Sequence, residues 1–170
     1  GSVITHFIKG YWLDETGSIK LDPKPFADLI IEHCESWVEN DVEFNALYPW
    51  GIISHICPSF LGDVKQFEIN YKPSERPKLY TSVSGDDFEL YGWDEIPKLA
   101  LDNPNIEFHL YGSSNWYTTQ HNIIVHGRVP KEQMNEEIKG MQGALRLTRF
   151  DGASEIIVKA MLMGQYAFSY

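Results

Sequence analysis

The sequence predicts an α/β protein organised on a doubly wound parallel sheet. From Lys78 onward, short β-branched and aromatic runs alternate with stretches whose apolar residues recur at helical spacing. Right-handed crossovers turn such an alternation into a parallel sheet. Near the end, Gly143 to Gly164 reads as a strand, a tight polar turn at Asp151-Gly152 and an apolar helix closed by a glycine suited to a helix stop. The chain has 170 residues, 43% of them apolar, which suffices for one sizeable domain or two small ones.

In chain order, Val3 to Ile8 has the composition of a short strand. Asp14 to Ser18 is a turn, and a helix is expected from Pro25 to about Glu39, with Phe26, Leu29, Ile30, Ile31, Cys34 and Trp37 at helical spacing. Asn40-Asp41 should stop it. Val42 to Trp50 and Ile52 to Ile56 read as extended, with a turn at Pro49 to Gly51, and Val64 to Tyr71 as a further strand. Lys72 to Pro77, polar and bracketed by prolines, is the expected linker between residues 3–72 and 73–170. In the second part, strands are expected at Leu79–Val83, Ile106–Tyr111, Asn122–His126, Gly143–Thr148 and Tyr166–Tyr170. Helices are expected at Glu89–Leu101, Lys131–Lys139 and Ala153–Met163, with Pro97 confining regular helix to one side of itself. The last helix is apolar almost all round, interrupted only by Glu155 and Lys159, and is therefore expected to be buried.

A formal charge of −10 argues against non-specific binding to nucleic acid or to an anionic membrane, both of which need a basic face. Two cysteines, Cys34 and Cys57, are too few for a disulfide framework, and reduced thiols in a cytoplasmic protein are the simpler reading. No run approaches the roughly 18 apolar residues of a membrane span, and His55 with Cys57 lacks the second pair a zinc site needs. No metal site is expected. No nucleophile-elbow, Walker or dinucleotide fingerprint is present. Three of the four arginines, Arg128, Arg146 and Arg149, lie in the last third, where they can supply a local basic pocket. A helix N-terminus at the carboxyl end of a parallel strand binds anions, so the backbone N–H groups of Ala153 and Ser154 are expected to face a phosphate.

Three stretches in order, Asn103–Gly112, Asn122–Pro130 and Asp151–Glu155, resemble the C-terminal half of GT-B glycosyltransferases with retaining chemistry. The resemblance covers about Lys78 to Tyr170; Ile4–Ile8 resembles a strand late in the family's N-terminal half. It implies a Rossmann-like, GT-B-type nucleotide-sugar-binding domain over residues 73–170, preceded over 3–72 by the tail of an N-terminal α/β half. The chain then corresponds to a fragment of a longer protein or to a reduced relative. The implied activity is transfer of a hexose from a UDP- or GDP-linked donor to a glycan, lipid-linked or protein acceptor, with no cofactor. A protein of the cytoplasm, or peripheral to a membrane in its full-length form, without a transmembrane segment is implied with it.

By this resemblance Asp151 holds donor-sugar hydroxyls, with Gly152 and Ala153 opening the helix. Backbone groups of Arg128 and Val129 hold the base. Thr148 and Ser154 donate to phosphate or sugar, and Ser84-Gly85 forms the first turn. Cleaving the anomeric carbon–phosphate bond leaves negative charge on the diphosphate; Arg146, Arg149 and the helix N-terminus are the positive groups available, standing in for a metal. The chain departs from the family at two places. Lys159 stands where the family has a ribose-binding Glu, and the first turn carries Asp86-Asp87 where the family has cations. Both departures favour a second reading, a non-catalytic GT-B-like binding or interaction module. For Asp151 the plainer role is a helix N-cap, and for Glu155 and Lys159 an i,i+4 ion pair. A receiver-type signalling domain matches only Asp86-Asp87.

Overall fold

The computed structural model describes residues 4–7, 24–57, 64–148, 151 and 154–169. These fall into two compact units: one contains residues up to 61 together with 150–153, the other 62–149 and 154–170. The division lies ahead of the proline-bracketed stretch at 72–77.

The first unit holds a three-stranded parallel sheet of β1 (Ile4–Phe7), β2 (Cys34–Val38) and β3 (Ser54–Ile56), in that order. Helix α1 (Lys24–His33) stops where β2 begins, so the single helix expected to Glu39 is a helix followed by a strand. β2 buries Ser36 and Val38 in strand alternation, and the Oγ atoms of Ser36 and Ser54 meet at 2.8 Å. The stretch expected to be extended after Asn40 is helix α2 (Asp41–Leu47) followed by a 3₁₀ turn, Tyr48–Trp50. Asn40 does not only end a segment: its side chain accepts the Glu43 N–H at 3.0 Å and caps α2. Ala27, Ile30, Val38, Leu47 and Ile52 form the core, whereas Phe26, Leu29 and Ile31 of α1 face outward.

The second unit is a five-stranded parallel sheet of β4 (Lys78–Ser82), β5 (Glu107–Tyr111), β6 (Ile123–Gly127), β7 (Gly143–Arg146) and β8 (Tyr166–Ser169), in the order β6-β5-β4-β7-β8. The doubly wound class expected from the sequence is the one observed. Helix α3 (Ile96–Asp102) covers one face, and α4 (Lys131–Ile138) and α5 (Glu155–Leu162) cover the other. On the α3 face, Leu79, Phe108, Leu110, Ile123 and Leu145 pack with Trp93, Ile96 and Ala100. The helix expected over 89–101 is regular only from Ile96, because Pro97 at its first turn fixes the start and residues 88–95 are turns. The strand expected over 64–71 is a 3₁₀ turn at Val64–Gln66 and then irregular backbone.

Helix α5 departs most from expectation. It is amphipathic, not buried all round: Ile156, Lys159, Ala160 and Met163 point inward, and Met161 is 66% exposed. Composition alone could not give its orientation, because a nearly all-apolar helix has no polar face to mark the outside.

Asn122 closes the turn between α3 and β5. Its buried Nδ2 donates to the carbonyls of Ala100 at 2.9 Å, Ile106 at 3.1 Å and Asn103 at 3.3 Å. Asn122→Leu strands these acceptors and is expected to cost about 1–3 kcal/mol. Urea denaturation should show a lower midpoint at unchanged slope.

Candidate functional site at the switch point of the second sheet

Strand order reverses between β4 and β7: from β4 the chain moves outward through β5 to β6, then returns to β7 on the other side. Two consecutive crossovers that leave a sheet in opposite directions open a crevice at the strand carboxyl ends. Ser82 to Asp87 leave β4 at this edge, and Arg146 to Thr148 leave β7.

Arg146 spans the crevice. Its Nη1 donates to the Ser82 carbonyl at 3.3 Å, and its guanidinium lies 4.5 Å from the Tyr91 ring centroid. The hydrogen bond and the ring face together hold the cation over the ends of both central strands. Tyr91 belongs to the 88–95 turns, which close tightly over β7: a Cβ on Gly92 (φ +67°) would come 2.7 Å from the Leu147 carbonyl oxygen. Nothing in the sequence flagged Tyr91, since an irregular turn carries no periodicity to say what it covers.

Ser84 and Gly85 are exposed at the exit of β4, and Gly85 has φ +75°. The two acids that follow are both engaged. Asp86 accepts from the Ser113 hydroxyl and, at 2.6 Å, from the Asn115 amide; these bonds hold its carboxyl below the usual carboxylate range, and the Arg128 charge adds to the effect. Asp87 accepts the Leu90 N–H at 3.2 Å. The acidic first turn thus braces its neighbouring loops. Arg128 is exposed and Val129 half-buried where the chain leaves β6, two strands from β4, roughly 10 Å across the sheet.

Thr148 is buried and has an interaction partner. Ser154 is the N-cap position of α5, but its side chain does not cap; its Oγ is buried without a hydrogen-bond partner among the described residues. The helix begins at Glu155, not Ala153, so the free amides of its first turn start there. Asp151 is half-buried, has an interaction partner, and counts with the first unit. Arg149, Gly152 and Ala153 lie outside the described residues.

Lys159 is 3% exposed. Its Nζ sits 2.8 Å from Glu155 and donates to Asn135 at 2.9 Å, with the Phe67 ring centroid 5.9 Å away. Glu155 also pairs with Lys131 at 2.9 Å. Burial works to raise the Glu155 carboxyl, but the bonds from Lys159 and Lys131 outweigh it and leave it lowered. The i,i+4 pair is therefore real, and its two members tie α5 to α4 through Lys131 and Asn135.

A second group of polar residues lies on the α4 face of the sheet. Glu107, His109 and Tyr111 point there from β5, opposite Phe108 and Leu110, and His126 joins them from β6. The period-two pattern of β5 contains this signal: an acid, a His and a Tyr share one strand face that a doubly wound sheet must cover with a helix.

The class this geometry defines is a GT-B-like α/β fold. A solved chain that shares it belongs to the "Crystal structure of GtfA/B complex": the TM-score is 0.65 at 11% sequence identity, over 99% of this chain and 37% of that one. At that identity the likeness is one of fold, and the present chain spans little more than a third of that chain's length. No protein-family model and no curated protein matches the chain. Among the described residues, no helix is long and apolar enough to cross a membrane.

Proposed function

We propose that residues 73–170 are the donor side of a glycosyltransferase that uses a nucleotide sugar, UDP- or GDP-linked, and transfers its hexose with retention and without a metal. The supporting observation is Arg146, fixed between the Ser82 carbonyl and the Tyr91 face at the sheet's switch point. A cation held rigidly there can stabilise the charge that develops on a leaving diphosphate, with no reorganisation at the moment of bond cleavage. The amides at the start of α5 add the positive end of a helix dipole. In this reading Ser84, Gly85, Thr148 and Ser154 contact phosphate or sugar, and backbone groups of Arg128 and Val129 hold the base. Asp151, Gly152 and Ala153 meet the donor sugar, and Arg149 supplies a second cation. The acceptor is a glycan, lipid or protein, and the protein works in the cytoplasm or at a membrane surface.

Lys159 favours a second reading, a GT-B-like interaction module without donor recognition. Its ammonium is buried and committed to Glu155 and Asn135, and so is not presented to a ribose. Calorimetric titration with UDP, GDP and ADP, with and without magnesium, separates the two. The donor reading expects saturable binding of one nucleotide without metal, weakened about tenfold or more by Arg146→Ala through loss of a charge-assisted contact. A folded chain that binds none of the three favours the module.

A further inference from the structure

His109 Nδ1 and His126 Nε2 lie 2.8 Å apart, and the two rings stack with centroids 5.1 Å apart. A carboxylate stands beyond each end. His126 Nδ1 is 3.5 Å from Glu137 Oε2 on α4, and that same oxygen accepts the Tyr111 hydroxyl at 2.7 Å. His109 Nε2, buried and without a hydrogen-bond partner among the described residues, is 3.6 Å from Glu107 Oε2. Tyr111 also stacks on His126 at 4.2 Å. The other charged or titratable groups facing the pair are Lys78 and Arg76, both on Glu107, and Tyr80, which pairs with His109 in register and donates to Gln165. Gln133 of α4 holds the second oxygen of Glu137.

This geometry counts protons. With hydrogen on His126 Nδ1, toward Glu137, Nε2 is the acceptor and His109 Nδ1 must donate to it. His109 Nε2 then presents a lone pair to Glu107, and one added proton fits there, giving an unbroken chain from carboxylate to carboxylate. A second proton has no place: it would set two N–H groups head to head across 2.8 Å. We propose that His109 and His126 form a one-proton latch that holds β6 and α4 onto β5, and that binding of a second proton opens it and frees α4. Opening also loosens α5, because α4 carries Lys131 and Asn135, the partners of Glu155 and Lys159. The latch stands independently of the sugar-transfer reading.

The linkage has the same direction. Burial pushes His109 down, with the His126 and Lys78 charges adding and Glu107 opposing; burial also lowers His126 against Glu137. An unfolded histidine titrates near 6.5, so below about that pH the unfolded state binds more protons, and the stability these residues contribute declines as pH falls toward the folded values. The test follows the imidazole nitrogens by NMR and amide-exchange protection factors element by element, from about pH 7.5 to about pH 3.5, past the value of about 4 to which burial lowers His109. The expected result is a joint titration whose first proton leaves α4 protected. The second should coincide with a drop of about tenfold or more in α4 and β6 protection while β4 at the sheet centre holds. His126→Gln, whose amide keeps a donor and an acceptor but takes no proton, should stay protected throughout. Independent titration of the two rings with α4 unchanged overturns the proposal. So does loss of α4 only together with β4, or a His126→Gln protein that loses protection along the wild-type curve. If His126→Gln does not fold, the wild-type titration alone decides.

Discussion

Replacing Trp93 by Ala should remove about 3–5 kcal/mol of stability from the second unit, a large part of the 5–15 kcal/mol typical of a whole domain. Trp93 is 0% exposed, and it joins the irregular 88–95 segment to the sheet. Its ring lies 5.3 Å from Phe88 and 6.0 Å from Trp116, the latter edge-on, and it packs among Leu79, Ile96, Phe108 and Leu110. Truncation leaves a cavity that three aromatic rings cannot close by small shifts. The indole N–H has no hydrogen-bond partner among the described residues, so Trp93→Phe should cost much less than Trp93→Ala. Equal losses for the two variants, read from denaturant midpoints, would show that shape at this position matters less than the packing argues. The same segment carries Tyr91, so Trp93→Ala is also expected to release Arg146 from its platform.

Gly112→Ala should cost on the order of 3 kcal/mol or more. Gly112 has φ +106°, a conformation L-residues rarely adopt, and a Cβ there would overlap the Val83 carbonyl oxygen. That oxygen belongs to backbone, not to a side chain that can swing aside. The surrounding hydrogen bonds hold it in place: Val83 N–H donates to Tyr111 at 3.0 Å, and Gly112 N–H donates to Gly127 at 2.8 Å. These bonds draw together the exits of β4, β5 and β6, the edge at which the candidate site lies. Gly85→Ala is the control. Gly85 also has positive φ, at +75°, but nothing lies within 4 Å of its would-be Cβ. It should show only the conformational part of the loss, about 1 kcal/mol. Thermal or urea unfolding of the two variants separates strain from overlap.

The sequence by itself determined the class of fold in the second unit and the strands that build it. Period-two and near-continuous apolar runs over Leu79–Val83, Ile106–Tyr111 and Asn122–His126 predict strands, and strands stand within one residue of those bounds. It also marked the strand carboxyl ends, where such sheets bind ligands, since strand, turn and helix follow one another locally. Where α1 gives way to β2 was not legible. Ile30 to Val38 is a continuous run compatible with either period, and only pairing with β1 and β3 decides that Cys34–Val38 is a strand. Likewise, Val42, Phe44 and Ala46 of α2 stand at alternate positions and read as a strand, and the cap by Asn40 supplies the helix signal that periodicity does not.

The tertiary structure alone decided what the charged residues do. Lys159, counted in sequence as a break in an apolar helix, is an inward residue because Asn135 and Glu155 meet it there. Asp86 and Asp87 are anchored to Ser113, Asn115 and Leu90. His109 and His126 are 17 residues apart in sequence and in hydrogen-bond contact in space. Local sequence fixes the period of an element and hence which residues share a face. Which partner meets a polar group depends on strand order and crossover hand, and these are settled only when the whole sheet closes around its two helix layers.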